Sequence, residues 1–210
     1  MNNKLLKQLS IIVFYGAIWG IVEASVGYVL HFLPALIAGT IMFPFATIIL
    51  YRTYKASQNQ WSVLGVGFIA VLIKSLNFLM PFNNAFKIIN PMISIVLESL
   101  VLMVVMKSLS QSKWMTKISL VSVSSLLWRG LFLGYLGIQA LTSGYIAIQI
   151  SSIDEVVSFL IIAGLMSALM SVVLLSVFSI PKKLKDTLLP ITPVVSLLTL
   201  GAAVVLTILL

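Results

Sequence analysis

The stretch YGAIWGIVEASVGYVLHFLP, Tyr15 to Pro34, decides what kind of fold this chain adopts. With the apolar residues before it, it forms a run long enough to cross a bilayer, which takes about 20 mostly apolar residues. Yet it carries Glu23 near its centre and His31 near its end. A charge left alone at the bilayer centre costs roughly 2.5–3.5 kcal/mol or more. A membrane helix with this sequence therefore needs a partner for Glu23, and the rest of the chain has to supply it.

The composition fits a membrane protein. The chain has 210 residues, 60% of them hydrophobic and only 9% charged. Soluble domains are about 25% charged, so there are too few charges here to cover a water-facing surface. The length suits one transmembrane helical domain over residues 1–210, with no separate soluble unit. A net charge of +8 raises the question of nucleic acid. The cations instead sit in short loops between apolar runs, which is the signature of membrane topology. The chain has no cysteine, which rules out disulfides, thiolate metal sites and cysteine nucleophiles. The basic start MNNKLLK followed by an apolar run has the look of a signal peptide. The run continues past signal-peptide length without a small-x-small cleavage site, so we read it as an uncleaved first span.

Seven stretches are candidates for spans: Leu9–Leu33, Ala35–Tyr51, Trp61–Met80, Ile88–Met106, Ile118–Leu141, Val156–Ile180 and Leu188–Leu210. The second is short and abuts the first, so six spans result if it is a re-entrant hairpin. With seven spans and the N-terminus inside, the inner loops hold Lys4, Lys7, Arg52, Lys55, Lys107, Lys113, Lys117, Lys182, Lys183 and Lys185, whereas the outer loops hold only Lys87. Positive charge is retained on the cytoplasmic side, and a wrong helix count would scramble this asymmetry. Trp61 and Trp114 fall at the inner interface, where aromatic rings anchor. The expected fold is an all-α polytopic membrane bundle. Two outer loops stand out. Met80–Pro91 holds a proline near each end, where helices stop, and the adjacent Asn83 and Asn84. Thr142–Glu155 ends in Ser152-x-x-Glu155, a capping box for the next helix.

Four ionisable residues fall inside spans: Glu23, Lys74, Glu98 and Arg129. At 1.5 Å per residue all four lie about 13–20 Å from the inner ends of their helices, at similar depth. Two acids and two bases can neutralise one another. Helical spacing groups Gly16, Gly20, Glu23, Gly27 and His31 on one face of the first helix. Lys74 shares a face with Asn77, Glu98 with Asn90 and Ser94, and Arg129 with Ser122 and Ser125. Gly130-xxx-Gly134 follows as a packing motif. Four polar stripes on four helices predict a polar interior. These charges either pin helix register as buried ion pairs or hold a ligand. One division of labour makes Glu23 and Lys74 a scaffold pair and lets Arg129 and Glu98 line a cavity. His31 is an interfacial side chain or a contact above Glu23, and a metal site lacks a second histidine. Trp19 and Trp128 read as packing residues or walls of an aromatic pocket.

The chain lacks a G-x-x-x-x-G-K-[ST] phosphate loop, an H-E-x-x-H helix and a G-x-S-x-G elbow. No catalytic constellation or cofactor motif points to an enzyme. A small, basic, ATPase-free bundle whose first helix carries Gly16, Gly20 and Ala24 resembles the substrate-binding S components of energy-coupling factor transporters. The segment NPMISIVLESL, Asn90–Leu100, is similar to the pocket-forming helices of that group. The resemblance implies a bacterial cytoplasmic (inner) membrane protein that captures a vitamin-like molecule or metal from outside. It implies that the small-residue face of helix 1 docks on a transmembrane coupling subunit, with two ATPases driving release. Asn83 and Asn84 then become gate contacts, and Glu23, Lys74, Asn77, Glu98, Arg129 and His31 become ligand contacts. The readings that compete with it are an autonomous ion- or proton-coupled carrier, with Glu23 or Glu98 as the coupling group, and a non-transport scaffold.

Overall fold

The structure is a computed structural model, and it describes residues 3–30, 32, 35–80, 84–178 and 191–210. Among these, every regular element is helical: α1 Asn3–Leu30, α2 Ala35–Ser57, α3 Gln60–Ser75, α4 Ala85–Gln111, α5 Trp114–Ser143, α6 Ile153–Val157, α7 Ala163–Phe178 and α8 Pro193–Leu209. Helix is the economical answer to a bilayer, because it satisfies each backbone N–H and C=O within its own segment. Five stretches are long and apolar enough to cross a membrane: Lys4–Leu30, Gln60–Leu79, Ala85–Gln111, Trp114–Ser143 and Ile153–Val177. Such a set fits a multi-pass membrane protein. The exterior agrees, since Leu141, Leu79 and Met115 are at least 75% exposed.

Element ends follow local chemistry. Gln58 at φ +53° and Asn59 turn the chain between α2 and α3, and the Asn59 side chain accepts the Trp61 N–H. Gly144, at φ +71°, ends α5 in the left-handed conformation that a residue without Cβ adopts freely. Ser152 caps α6 by accepting the Glu155 N–H at 3.2 Å, half of the expected capping box. The segment from α6 to α7 is continuous through one π-helical turn, Ser158–Ile162.

Two expectations need correction. The loop expected over Met80–Pro91 is shorter, because α4 starts at Ala85 and carries Pro91 inside it. Asn84 makes the earlier start possible: its side chain accepts the Phe86 N–H at 3.0 Å. Pro91 removes only one backbone donor near the helix start, and the Ser94 hydroxyl bonds the Pro91 carbonyl at 2.9 Å. The second correction concerns α2, a helix of 23 residues rather than a short stretch, with Pro44 inside it.

The core runs through α1–α5 and α7, with Trp19, Phe43, Leu50, Val66, Leu102, Trp128 and Leu136 fully or almost fully buried. Close helix contacts form where glycines face bulky residues. A Cβ on Gly16 would lie 2.5 Å from Ile69 Cβ, and one on Gly20 would lie 2.6 Å from Ile73. Thus α1 and α3 approach through the α1 glycine face. On another side α1 meets α8. Ser196 Oγ donates to the Ser10 carbonyl at 2.8 Å, and Ala17 packs with Ala203. The pairing of 10 with 196 and 17 with 203 means that α1 and α8 run parallel.

Candidate functional site

Glu23 does acquire a partner. Lys74, in the last turn of α3, places Nζ 3.9 Å from Glu23 Oε2, with the two side chains only 7% and 12% exposed, lysine first. The end of a helix favours a cation there. At 3.9 Å the two groups attract without a direct hydrogen bond. Both line a cavity of about 160 Å³. Its walls are Gly20, Ala24 and Tyr28 of α1, Ile73 of α3, Asn77 on the 3₁₀ turn after α3, Met80, Thr207 of α8 and Leu210 just after it. The lining combines a carboxylate, an ammonium, an amide and a hydroxyl with apolar and aromatic groups. The mix resembles that of small-molecule sites, at a volume below their usual minimum of roughly 300 Å³.

Arg129 is fully buried elsewhere. Its Nη1 donates to the Ser125 carbonyl at 3.0 Å and to Ser125 Oγ at 2.7 Å. Its Nη2 donates to the Gly39 carbonyl at 3.1 Å and to Ser167 Oγ at 2.7 Å. Ser125 Oγ in turn donates to the Gly164 carbonyl and Ser167 Oγ to the Thr40 carbonyl. The guanidinium also lies 4.5 Å from the Trp128 ring centroid, 5.6 Å from Phe159 and 5.8 Å from Phe43. Arg129 thus ties α2, α5 and α7 together, its charge spread over carbonyls, hydroxyls and ring faces.

Glu98 is buried on α4, and among the described residues no cation stands within ion-pair distance of it. Glu23 and Arg129 both lie within electrostatic reach of it. Glu23 and Lys74 line this cavity, and Arg129 and Glu98 do not border it.

Of the other candidate residues, Asn77 lines the cavity, whereas Asn84 is the α4 cap. His31 and Asn83 lie outside the described residues. Gly16 and Gly20 are covered by α3 within this chain, so the face that the resemblance assigns to a coupling subunit is already occupied. Ala24 borders the cavity. Among the described residues no three His, Cys, Asp or Glu side chains come together.

No family model, curated protein or solved structure matches this chain. The functional reading therefore rests on the site itself. Sequence reasoning missed the contribution of the end of α8, where Thr207 and the following Leu210 line the cavity. It also missed a polar knot on α4 and α5. Gln139 Nε2 donates to Asn90 Oδ1 at 2.8 Å and to Tyr135 Oη at 2.9 Å, and the tyrosine hydroxyl donates to Asn90 Oδ1 at 3.1 Å. The signal was present, because Tyr135 and Gln139 are four residues apart in an otherwise apolar run and so share a helix face.

Proposed function

We propose that this protein is a transport component of the bacterial cytoplasmic membrane that binds a small zwitterionic or mixed polar solute between Glu23 and Lys74. In this reading seven spans cross the membrane with the N-terminus inside, and separate membrane and ATPase subunits supply the energy. One observation carries it. Two opposite charges face each other across 3.9 Å at the wall of a cavity of about 160 Å³, without closing into a hydrogen-bonded pair. A purely structural pair gains most by closing fully, because desolvated charges need good geometry to offset their burial. A solute with its own ammonium and carboxylate would meet both charges, with Asn77 as a third polar contact and Tyr28 and Ile73 as apolar walls. The cavity volume limits the ligand to a compact molecule. The lack of any phosphate-loop motif supports separate energising subunits. Their docking surface would have to differ from the Gly16–Gly20 face, which α3 covers.

The test is mass spectrometry of small molecules released from detergent-purified protein. A stoichiometric metabolite should be found in the parent chain and lost from both Glu23→Gln and Lys74→Met, while each variant keeps its helical circular dichroism. Retention of the metabolite in both variants would sink this assignment. Glu98 supports a second reading, an autonomous cation- or proton-coupled carrier, because its buried carboxylate meets no cation among the described residues and lies within electrostatic reach of Glu23. Vesicles containing this protein alone separate the two: a binding subunit gives no gradient-driven flux, and a carrier does.

A further inference from the structure

One end of the bundle gathers cations that meet no acid among the described residues. Of the five acidic residues, Glu23 and Glu98 lie inside the bundle, and Asp154 and Glu155 lie at the start of α6, at the other end. Asp186 is outside the described residues. At the basic end, Lys55 in the last turn of α2 and Lys117 near the start of α5 both approach the ring of Tyr51, at 5.7 Å and 6.0 Å from its centroid. Neither makes an ion pair with a described residue. Beyond the ring face, Lys55 has one long hydrogen bond, 3.4 Å to the Ser110 carbonyl. Two ammonium groups drawn to one ring repel each other, and a cation–π contact at an exposed site offsets only part of that.

The surroundings specify what would satisfy them. Trp114 is 42% exposed, three residues before Lys117 and so on a neighbouring position of the same helix surface. Trp61 is 70% exposed at the start of α3, next in the chain after α2. Exposed tryptophans beside cations mark the headgroup level of a membrane. A ligand matching cations at this level carries a negative phosphate at the headgroup depth, with its acyl chains in the bilayer. Basic pockets between helices at a membrane surface take such headgroups.

We infer that Tyr51, Lys55 and Lys117 form a binding site for the phosphodiester headgroup of an anionic phospholipid of the surrounding bilayer. The inference is independent of the solute reading above, since the two sites share no residue.

The experiment is native mass spectrometry of the full chain in detergent, titrated with phosphatidylglycerol and with phosphatidylcholine of the same acyl chains. Glycerophosphoglycerol, the same headgroup without chains, is the third probe. Phosphatidylglycerol should bind in preference to phosphatidylcholine, and glycerophosphoglycerol should not bind measurably. Lys55→Gln/Lys117→Gln should weaken phosphatidylglycerol binding about thirtyfold, since each lysine near an anionic headgroup is worth about fivefold. Lys87→Gln, at the far end, should leave it unchanged. The two single variants provide the same readout at about fivefold each if the double variant does not purify. Equal binding of the two lipids, or full phosphatidylglycerol binding by variants of Lys55 and Lys117, would overturn the site. Binding of glycerophosphoglycerol as tightly as the lipid would make it a site for free phosphate esters and overturn the lipid assignment.

Discussion

Glycine does two opposite jobs in this chain, and single residues tell them apart. Gly67 of α3 is buried against α4, where an added Cβ would collide with the Ser99 side chain. Ser99 cannot simply turn aside, because it is fully buried and its hydroxyl bonds the Ile95 carbonyl at 2.7 Å. Gly130 of α5 has nothing within 4 Å of the same virtual atom. Gly67→Ala should therefore destabilise the protein by about 1–3 kcal/mol, the usual cost of overpacking a filled core. Gly130→Ala should be neutral or stabilising by up to about 1 kcal/mol, through helix propensity alone. Unfolding of the purified variants in graded denaturing detergent checks both, and a Gly67→Ala variant as stable as the parent would contradict the tight α3–α4 contact. Both glycines lie in apolar spans and look alike in sequence. What separates them is which neighbouring helix lies opposite, and that is a tertiary fact.

At the scale of helices, two buried polar networks hold the bundle together, and they differ in what their loss costs. Arg129 gives four hydrogen bonds to three helices, and both of its serine acceptors pass bonds on to backbone carbonyls. Replacement by methionine keeps much of the volume but releases Ser125, Ser167 and two carbonyls at once. The Asn90–Tyr135–Gln139 knot joins only α4 to α5 and is neutral. Interhelical hydrogen bonds in membranes average about 0.6 kcal/mol each, so Gln139→Leu should cost about 1 kcal/mol. Arg129→Met should cost about 3 kcal/mol or more, in the range seen when buried charged networks lose a member. The same unfolding measurement tests the order, and a larger loss for Gln139→Leu would refute it. Element type was readable from hydropathy, because helix is the form in which an isolated apolar segment satisfies its own backbone. Element ends were less so. Asn84 starts α4 ahead of Pro91, and the π-turn at Ser158–Ile162 has no signature in local composition. The choice of Lys74 rather than Arg129 as the partner of Glu23 also lay beyond periodicity, which assigns a face but not the helix that faces it.

For the molecule as a whole, the parallel packing of α1 and α8 bears on topology. Six helices that reverse direction between them, α2, α3, α4, α5, the α6–α7 segment and then α8, return the chain to the direction of α1. The Ser196–Ser10 and Ala203–Ala17 contacts have that sense. The end that holds the start of α1 then also holds the α2–α3 and α4–α5 turns, with Lys4, Lys7, Arg52, Lys55, Lys107, Lys113 and Lys117, while Asp154 and Glu155 lie at the opposite end. Positive charge stays on the cytoplasmic side, so Lys113 should face the cytoplasm and Asp154 the outside. The chain has no cysteine, which makes any introduced one a unique reporter. In intact cells a membrane-impermeant maleimide should label Asp154→Cys and leave Lys113→Cys unlabelled until the membrane is permeabilised. The reverse pattern would invert the protein. It would also put the Tyr51–Lys55–Lys117 cluster on the outer face and turn the Glu23–Lys74 cavity, near the far ends of α1 and α3, toward the cytoplasm. Capture from outside would then be excluded at that cavity. Labelling of both positions from outside would show an even number of crossings between Lys113 and Asp154, and the α5 span, the longest described helix at 30 residues, would have to be withdrawn.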